Sequence, residues 1–163
     1  MGITHATISH RKLEFIRPAG TSRGVLHHKD AYFIHLFDGD HHEGSGECCI
    51  IKGLSIDDRE DYIDCLNDVV NRPDYYLEHI EEICEFPSIV FGLETAYQNL
   101  LQKKESLYYP SDFTSGKVGI PINGLIWMGD ENNMIQQCEV KMAQGFTCVK
   151  LKIGAINFDE ELA

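Results

Sequence analysis

No stretch of this chain approaches eighteen consecutive apolar residues, and its N-terminus lacks the basic-then-apolar order of a secretory signal. A cytoplasmic setting is therefore expected. Basic charge is scarce as well: 14 Lys and Arg stand against 26 Asp and Glu, a formal net charge of −12. That balance argues against nucleic acid or an anionic membrane surface as a partner. Close cysteine pairs are missing. Cys48, Cys49, Cys65, Cys84, Cys138 and Cys148 are scattered with no CxxC spacing, so they read as small apolar residues in a reducing compartment and imply no bound zinc. Internal repeats and low-complexity segments are also absent. What is present is apolar material, 43% of 163 residues, enough for a real core in one or two domains.

The periodicity changes twice along the chain. Residues Thr4 to Ile16, Ala31 to Phe37 and Gly44 to Lys52 read as strands of an antiparallel meander. Arg17 to Gly24 reads as a loop, punctuated by Pro18, Gly20 and Gly24. Asp38-Gly39-Asp40-His41-His42-Glu43 reads as a solvated hairpin turn, because five potential ligands on one tight turn cannot all converge on one ion. Then come helices. Ser55 is expected to cap one with Tyr62, Leu66, Val69 and Val70 on its apolar stripe, and Pro73 opens another that ends near Phe86. A third, Ser88 to about Lys104, buries Val90, Leu93, Ala96, Tyr97 and Leu100. After a connection over Tyr108 to Lys117, a strand (Val118 to Met128), a helix (Asp130 to Gln144) and a strand (148–153) alternate. A fresh helical start follows at Asn157. The order is that of a small α+β domain, residues 1–110, leading into the first units of a parallel α/β domain, residues 111–163. Two strands and little more than one helix are too few to close a barrel, so the chain reads as the N-terminal portion of a longer protein.

The chemistry concentrates late. In Cys148-Val149-Lys150-Leu151-Lys152-Ile153 the side chains alternate, placing Cys148, Lys150 and Lys152 on one face and Val149, Leu151 and Ile153 on the other. Strands in βα units are normally buried on both faces, where an unpaired ammonium is costly. The lysines need carboxylate partners, a bound anion or a task; an exposed edge strand is the alternative. On the preceding strand, Asn123 and Trp127 share a parity opposite to Ile120, Ile122 and Ile126, and point to the lysine side if the isoleucines pack under helices. Trp127 also fits ordinary core. Thr21, Ser22 and Arg23 offer hydroxyls and a guanidinium fork suited to a carboxylate, or an ordinary surface loop. In Gly44-Ser45-Gly46-Glu47 the glycines permit close backbone approach, with Glu47 at a defined place beside them.

Four features in this order resemble the enolase superfamily, in its muconate-lactonizing branch. They are Gly44-Ser45-Gly46-Glu47, Phe91-Gly92-Leu93-Glu94-Thr95-Ala96, Ile120-Pro121-Ile122-Asn123-Gly124 and Lys150-Leu151-Lys152. The loop Gly20 to Leu26, followed by a lysine and an aromatic strand, narrows the resemblance to a dehydrating member of the branch. The resemblance implies a capping domain over the mouth of a (β/α) barrel, here incomplete, with the Thr21 to Leu26 loop as part of a specificity lid. It implies that Lys152 is the base removing the proton alpha to a substrate carboxylate. Lys150 would stabilise charge beside it, and Thr21, Ser22, Arg23, Asn123 and Trp127 would contact substrate. A magnesium ion is implied too, with its acidic ligands and the opposing lysine on strands beyond residue 163, so that no metal ligand is assigned here. The chain alone is then expected to be inactive and to self-associate through its incomplete barrel. Racemases, dipeptide epimerases and cycloisomerases of the same superfamily are the nearest alternatives. A free-standing acidic interaction module is the alternative from another class.

Overall fold

The computed structural model describes residues 2–21, 24–103 and 107–152. The expected helical start at Asn157 lies outside them, as do Ser22 and Arg23. The chain divides into two compact units, one made of residues up to Glu14 with His28–Pro110, the other of Phe15–His27 with Ser111 onward. No helix among the described residues is long and apolar enough to cross a membrane.

β1 (Ile3–Thr21), β2 (Gly24–Asp38) and β3 (Glu43–Cys49) form a sheet in the order β1-β2-β3, and its residues up to Glu14 and from His28 on belong to the first unit. Thr4 Oγ1 donates to the Phe37 carbonyl and His10 bonds Asp30, so β1 and β2 run antiparallel. The stretch expected as a loop over Arg17 to Gly24 is strand as far as Thr21. Proline and glycine weaken a strand but are tolerated at a sheet edge, where a missing N–H costs no ladder bond; β1 occupies that edge. β2 and β3 pair antiparallel from Ala31↔Cys49 to Phe37↔Glu43.

One face of this pair carries Ile34 and Leu36 opposite Gly46 and Gly44. The missing side chains let the helix α3 (Pro87–Gln102) lie directly on the strand. A methyl group on Gly46 would overlap the Gly92 carbonyl oxygen, and one on Gly92 would overlap the Cys48 sulfur. Gly46 makes room for the backbone of α3, and Gly92 makes room for the Cys48 sulfur. Cys48 is buried between them, and burial pushes its thiol up to about 12, a packing residue with no reactive thiolate.

α1 (Tyr62–Asn71) buries Tyr62, Leu66 and Val69 on one stripe. It begins at Tyr62, later than the cap expected at Ser55. The Ser55 hydroxyl instead accepts from the Ile51 amide at 2.8 Å and closes a turn. The helix expected from Pro73 to Phe86 is split into α2 (Pro73–Glu78) and a 3-10 turn (Ile80–Ile83). The start of α3 has no side-chain cap of its own. Buried Asp57, far off in sequence, accepts from the Ser88 amide at 2.8 Å and supplies the missing acceptor at the positive end of the helix.

The second unit holds β4 (Gly124–Ile126), α4 (Glu131–Ala143) and β5 (Val149–Leu151). β4 and β5 are parallel, in register Gly124↔Val149, Leu125↔Lys150 and Ile126↔Leu151. The expected strand over Val118 to Met128 is reduced to these three residues, and Ile120 and Ile122 are exposed, not packed under a helix. Ile126 is fully buried. Asp130 caps α4 by accepting from the Asn133 amide at 2.9 Å, and Gly145 follows the helix with a φ of 86°, the left-handed conformation that ends helices.

Candidate functional site

The site grows from the β4–β5 pair. The Gly124 amide donates to the Cys148 carbonyl at 2.9 Å and the Lys152 amide to the Ile126 carbonyl at 3.0 Å, so the ladder holds both strand ends. Alternation then sorts the side chains. Gly124 and Ile126 are buried; a methyl on Gly124 would press on Lys141 of α4 and on Phe146. Leu125 and Lys150, opposite each other in register, are exposed.

Lys152 and Trp127 meet at the ends of the two strands. The Lys152 ammonium lies 3.9 Å from the centre of the Trp127 ring, over its face. At that distance the negative face of the indole attracts the cation by about 0.5–2 kcal/mol, depending on how much water is excluded. The two residues therefore form one local unit. Asn123 is exposed just ahead of β4. Thr21 ends β1, while Ser22 and Arg23 lie outside the described residues.

Gln137 and Asn133, neither of them singled out from the sequence, hold Trp127 in place together with Asp130. The Gln137 side-chain amide closes on the Trp127 peptide from both sides: Oε1 accepts from the Trp127 N–H at 2.8 Å, and Nε2 donates to its carbonyl at 3.0 Å. Nε2 also donates to Asn133 Oδ1 at 2.7 Å, and the Asn133 amide donates to Asp130. Asp130, Asn133 and Gln137 sit three and four residues apart, on one side of a helix. That polar stripe was the available signal, but polar stripes usually face water.

The groups gathered around Lys152, an indole and an amide, are poor ligands for magnesium, which takes carboxylate and water oxygens. These residues do not fit that ion, and no step below runs through it. Among the described residues, Asp38, Asp40 and His42 are a group whose ligand atoms lie within 4.8 Å of one another. Asp38 is already engaged, however. Oδ1 accepts from the amides of Asp40 (2.8 Å) and His42 (3.0 Å), and Oδ2 contacts His42 Nδ1 at 2.9 Å. Burial alone would raise the Asp38 carboxyl; the bonds from His42 and Asp40 outweigh it and hold it below its ordinary value. This is the chemistry of a pinned hairpin turn.

No protein-family model matches the chain. It is 38% identical, over 96% of its length, to an o-succinylbenzoate synthase of Desulfotalea psychrophila, of which it covers 51%. A crystal structure of MenC from the same organism superposes with a TM-score of 0.64 at 30% identity, covering 97% of this chain and 51% of that one. The o-succinylbenzoate synthase of Thermosynechococcus elongatus, solved with magnesium in its active site, superposes with a TM-score of 0.64 at 19% identity, covering 96% and 45%. The chain thus spans about half the length of the relatives it matches. With likeness of sequence and of fold both running through nearly all of its residues, the chain is similar to o-succinylbenzoate synthase and shares the fold of about half of such a protein.

Proposed function

We propose that this chain is the N-terminal part of a lyase that removes the proton alpha to a carboxylate and expels a β-hydroxyl as water, giving o-succinylbenzoate for menaquinone synthesis. The observation that supports it most is the placement of Lys152 over Trp127 at the ends of two parallel strands. Strand ends are where barrel enzymes of this architecture gather their reacting groups.

In this reading the Lys152 amine takes the α-proton, and the ammonium so formed rests against the indole face. Lys150, two residues earlier on the same face, adds positive charge toward the substrate carboxylate. Asn123 and Trp127 border the substrate, and Thr21, Ser22 and Arg23 are proposed to contact it. Magnesium is the proposed cofactor of the complete enzyme, held by residues other than those described here; when bound it supplies Lewis-acid stabilisation of charge on the carboxylate. This chain alone is proposed to be inactive.

The test is an assay of the full-length protein on the cyclohexene-carboxylate precursor. Lys152→Ala should lower kcat by at least about 100-fold, the size of a general-base contribution. Retained dehydration would sink the assignment of the base. Turnover of N-succinylamino acids with no dehydration would move the reading to a racemase of the same superfamily.

A further inference from the structure

A second reactive constellation lies in the first unit, made of residues that the proposed lyase chemistry does not use. Cys49 pairs with Ala31 in the β2–β3 register, which places Lys29 two residues along β2, diagonal to Cys49 and on its face of the sheet. Lys29 Nζ is 2.7 Å from Cys49 Sγ and 3.3 Å from Glu47 Oε1. Sulfur is larger than oxygen, so an ordinary N–H···S contact is longer than the roughly 2.7–3.2 Å of N–H···O. Here nitrogen and sulfur stand at the near end of the oxygen range, a separation that one bridging atom spans. The three side chains line a cleft of about 630 Å³ together with Ser55, Asp57 and Phe91, so a small solute has room to reach the sulfur. The neighbouring Cys48 differs in kind, being fully buried.

We infer that Lys29 and Cys49 are the two ends of an oxidant-formed N–O–S crosslink between β2 and β3. The oxidant is a peroxide, and two equivalents of hydrogen peroxide balance the change. The first breaks its O–O bond as the Cys49 S–H becomes S–OH, a sulfenic acid, with release of one water. Glu47, within reach of Nζ, takes the ammonium proton and frees the Lys29 lone pair. The nitrogen then bonds to the sulfenic oxygen. One N–H and the O–H hydrogen depart with two electrons to the second peroxide, which is reduced to two waters. The product keeps one oxygen between nitrogen and sulfur, loses the Lys29 charge and releases Glu47 from its ion pair.

The experiment is peptide mapping by mass spectrometry of the full chain before and after hydrogen peroxide. The expected product joins the peptides of Lys29 and Cys49, with a mass equal to their sum plus one oxygen and minus two hydrogens. Dithiothreitol should reverse it. Lys29→Arg should abolish the link and leave Cys49 as sulfenic or sulfinic acid, and Cys49→Ser should abolish both products. Oxidation of Cys49 in the native chain without a link to Lys29 would overturn the inference, and so would a link that contains no oxygen. The native map decides by itself, whether or not the variants fold.

Discussion

The two units of this chain spend their apolar residues differently. In the first, a cluster including Ile34, Leu66, Ile89 and Leu93 is closed to solvent and continuous from the sheet through α3 to α1. In the second, α4 buries no residue, and Ile126 is the fully buried apolar side chain among its described residues. Ile120, Ile122, Leu125, Val140, Met142 and Leu151 stay exposed there. The unit with the closed core lacks the lysine pair, and the unit with the lysine pair buries little apolar surface among its described residues. Large exposed apolar areas of this kind mark surfaces that are covered by something else.

Truncations probe that contrast most sharply. Leu93→Ala should destabilise the chain by about 2–5 kcal/mol in a denaturant melt, the range for fully buried leucines, whereas Leu125→Ala, on an exposed face, should change it by no more than about 0.5 kcal/mol. Equal effects would erase the distinction. A smaller loss, about 1–3 kcal/mol, is expected of Gly46→Ala, because the added methyl must push α3 off β3. Asp57→Ala comes next, about 1–2 kcal/mol, since it strips the acceptor from the first turn of α3. Its readout is the same melt, and an unchanged midpoint would mean that the turn finds another acceptor.

Acid is the gentlest probe. Asp38 and Glu43 are both held below their ordinary values. Asp38 is held by the His42 and Asp40 bonds that overcome burial, and Glu43 by bonds from His35 and Ser45. A carboxyl depressed in the folded state stabilises fully above its unfolded value, about 4, and loses that contribution as pH falls through the folded value. The midpoint of unfolding should therefore fall as pH drops below about 4. Asp38→Asn should flatten that slope, and an unaltered slope would assign it to other carboxyls.

Much of the architecture was legible in the sequence because its signals are local. Asp130 and Gly145 mark both ends of α4, close to the helix expected from Asp130 to Gln144. The alternation of Lys150 and Lys152 with Val149 and Leu151 likewise anticipated the strand β5. Most of what was misread depends on partners remote in sequence. Pro18 and Gly20 signal a loop in isolation, yet their backbone continues a strand because β2 lies alongside. Ser55 has the composition of a cap for α1, but its hydroxyl accepts from the Ile51 amide in a turn and the helix starts only at Tyr62. Gln137 left only a polar stripe with Asp130 and Asn133, which reads as a solvated face, since a side-chain amide that pairs with a peptide group on another element has no spacing rule.

That amide has a consequence for how the small sheet ends. A strand edge with free N–H and C=O groups is a template onto which another chain adds. At Trp127 both groups are already taken, by one side chain shaped like a peptide bond. Gln137 acts as a third strand one residue long, stopping β4 at Ile126 and denying that position to any newcomer. A Gln137→Leu chain would regain a sticky edge beside its lysine.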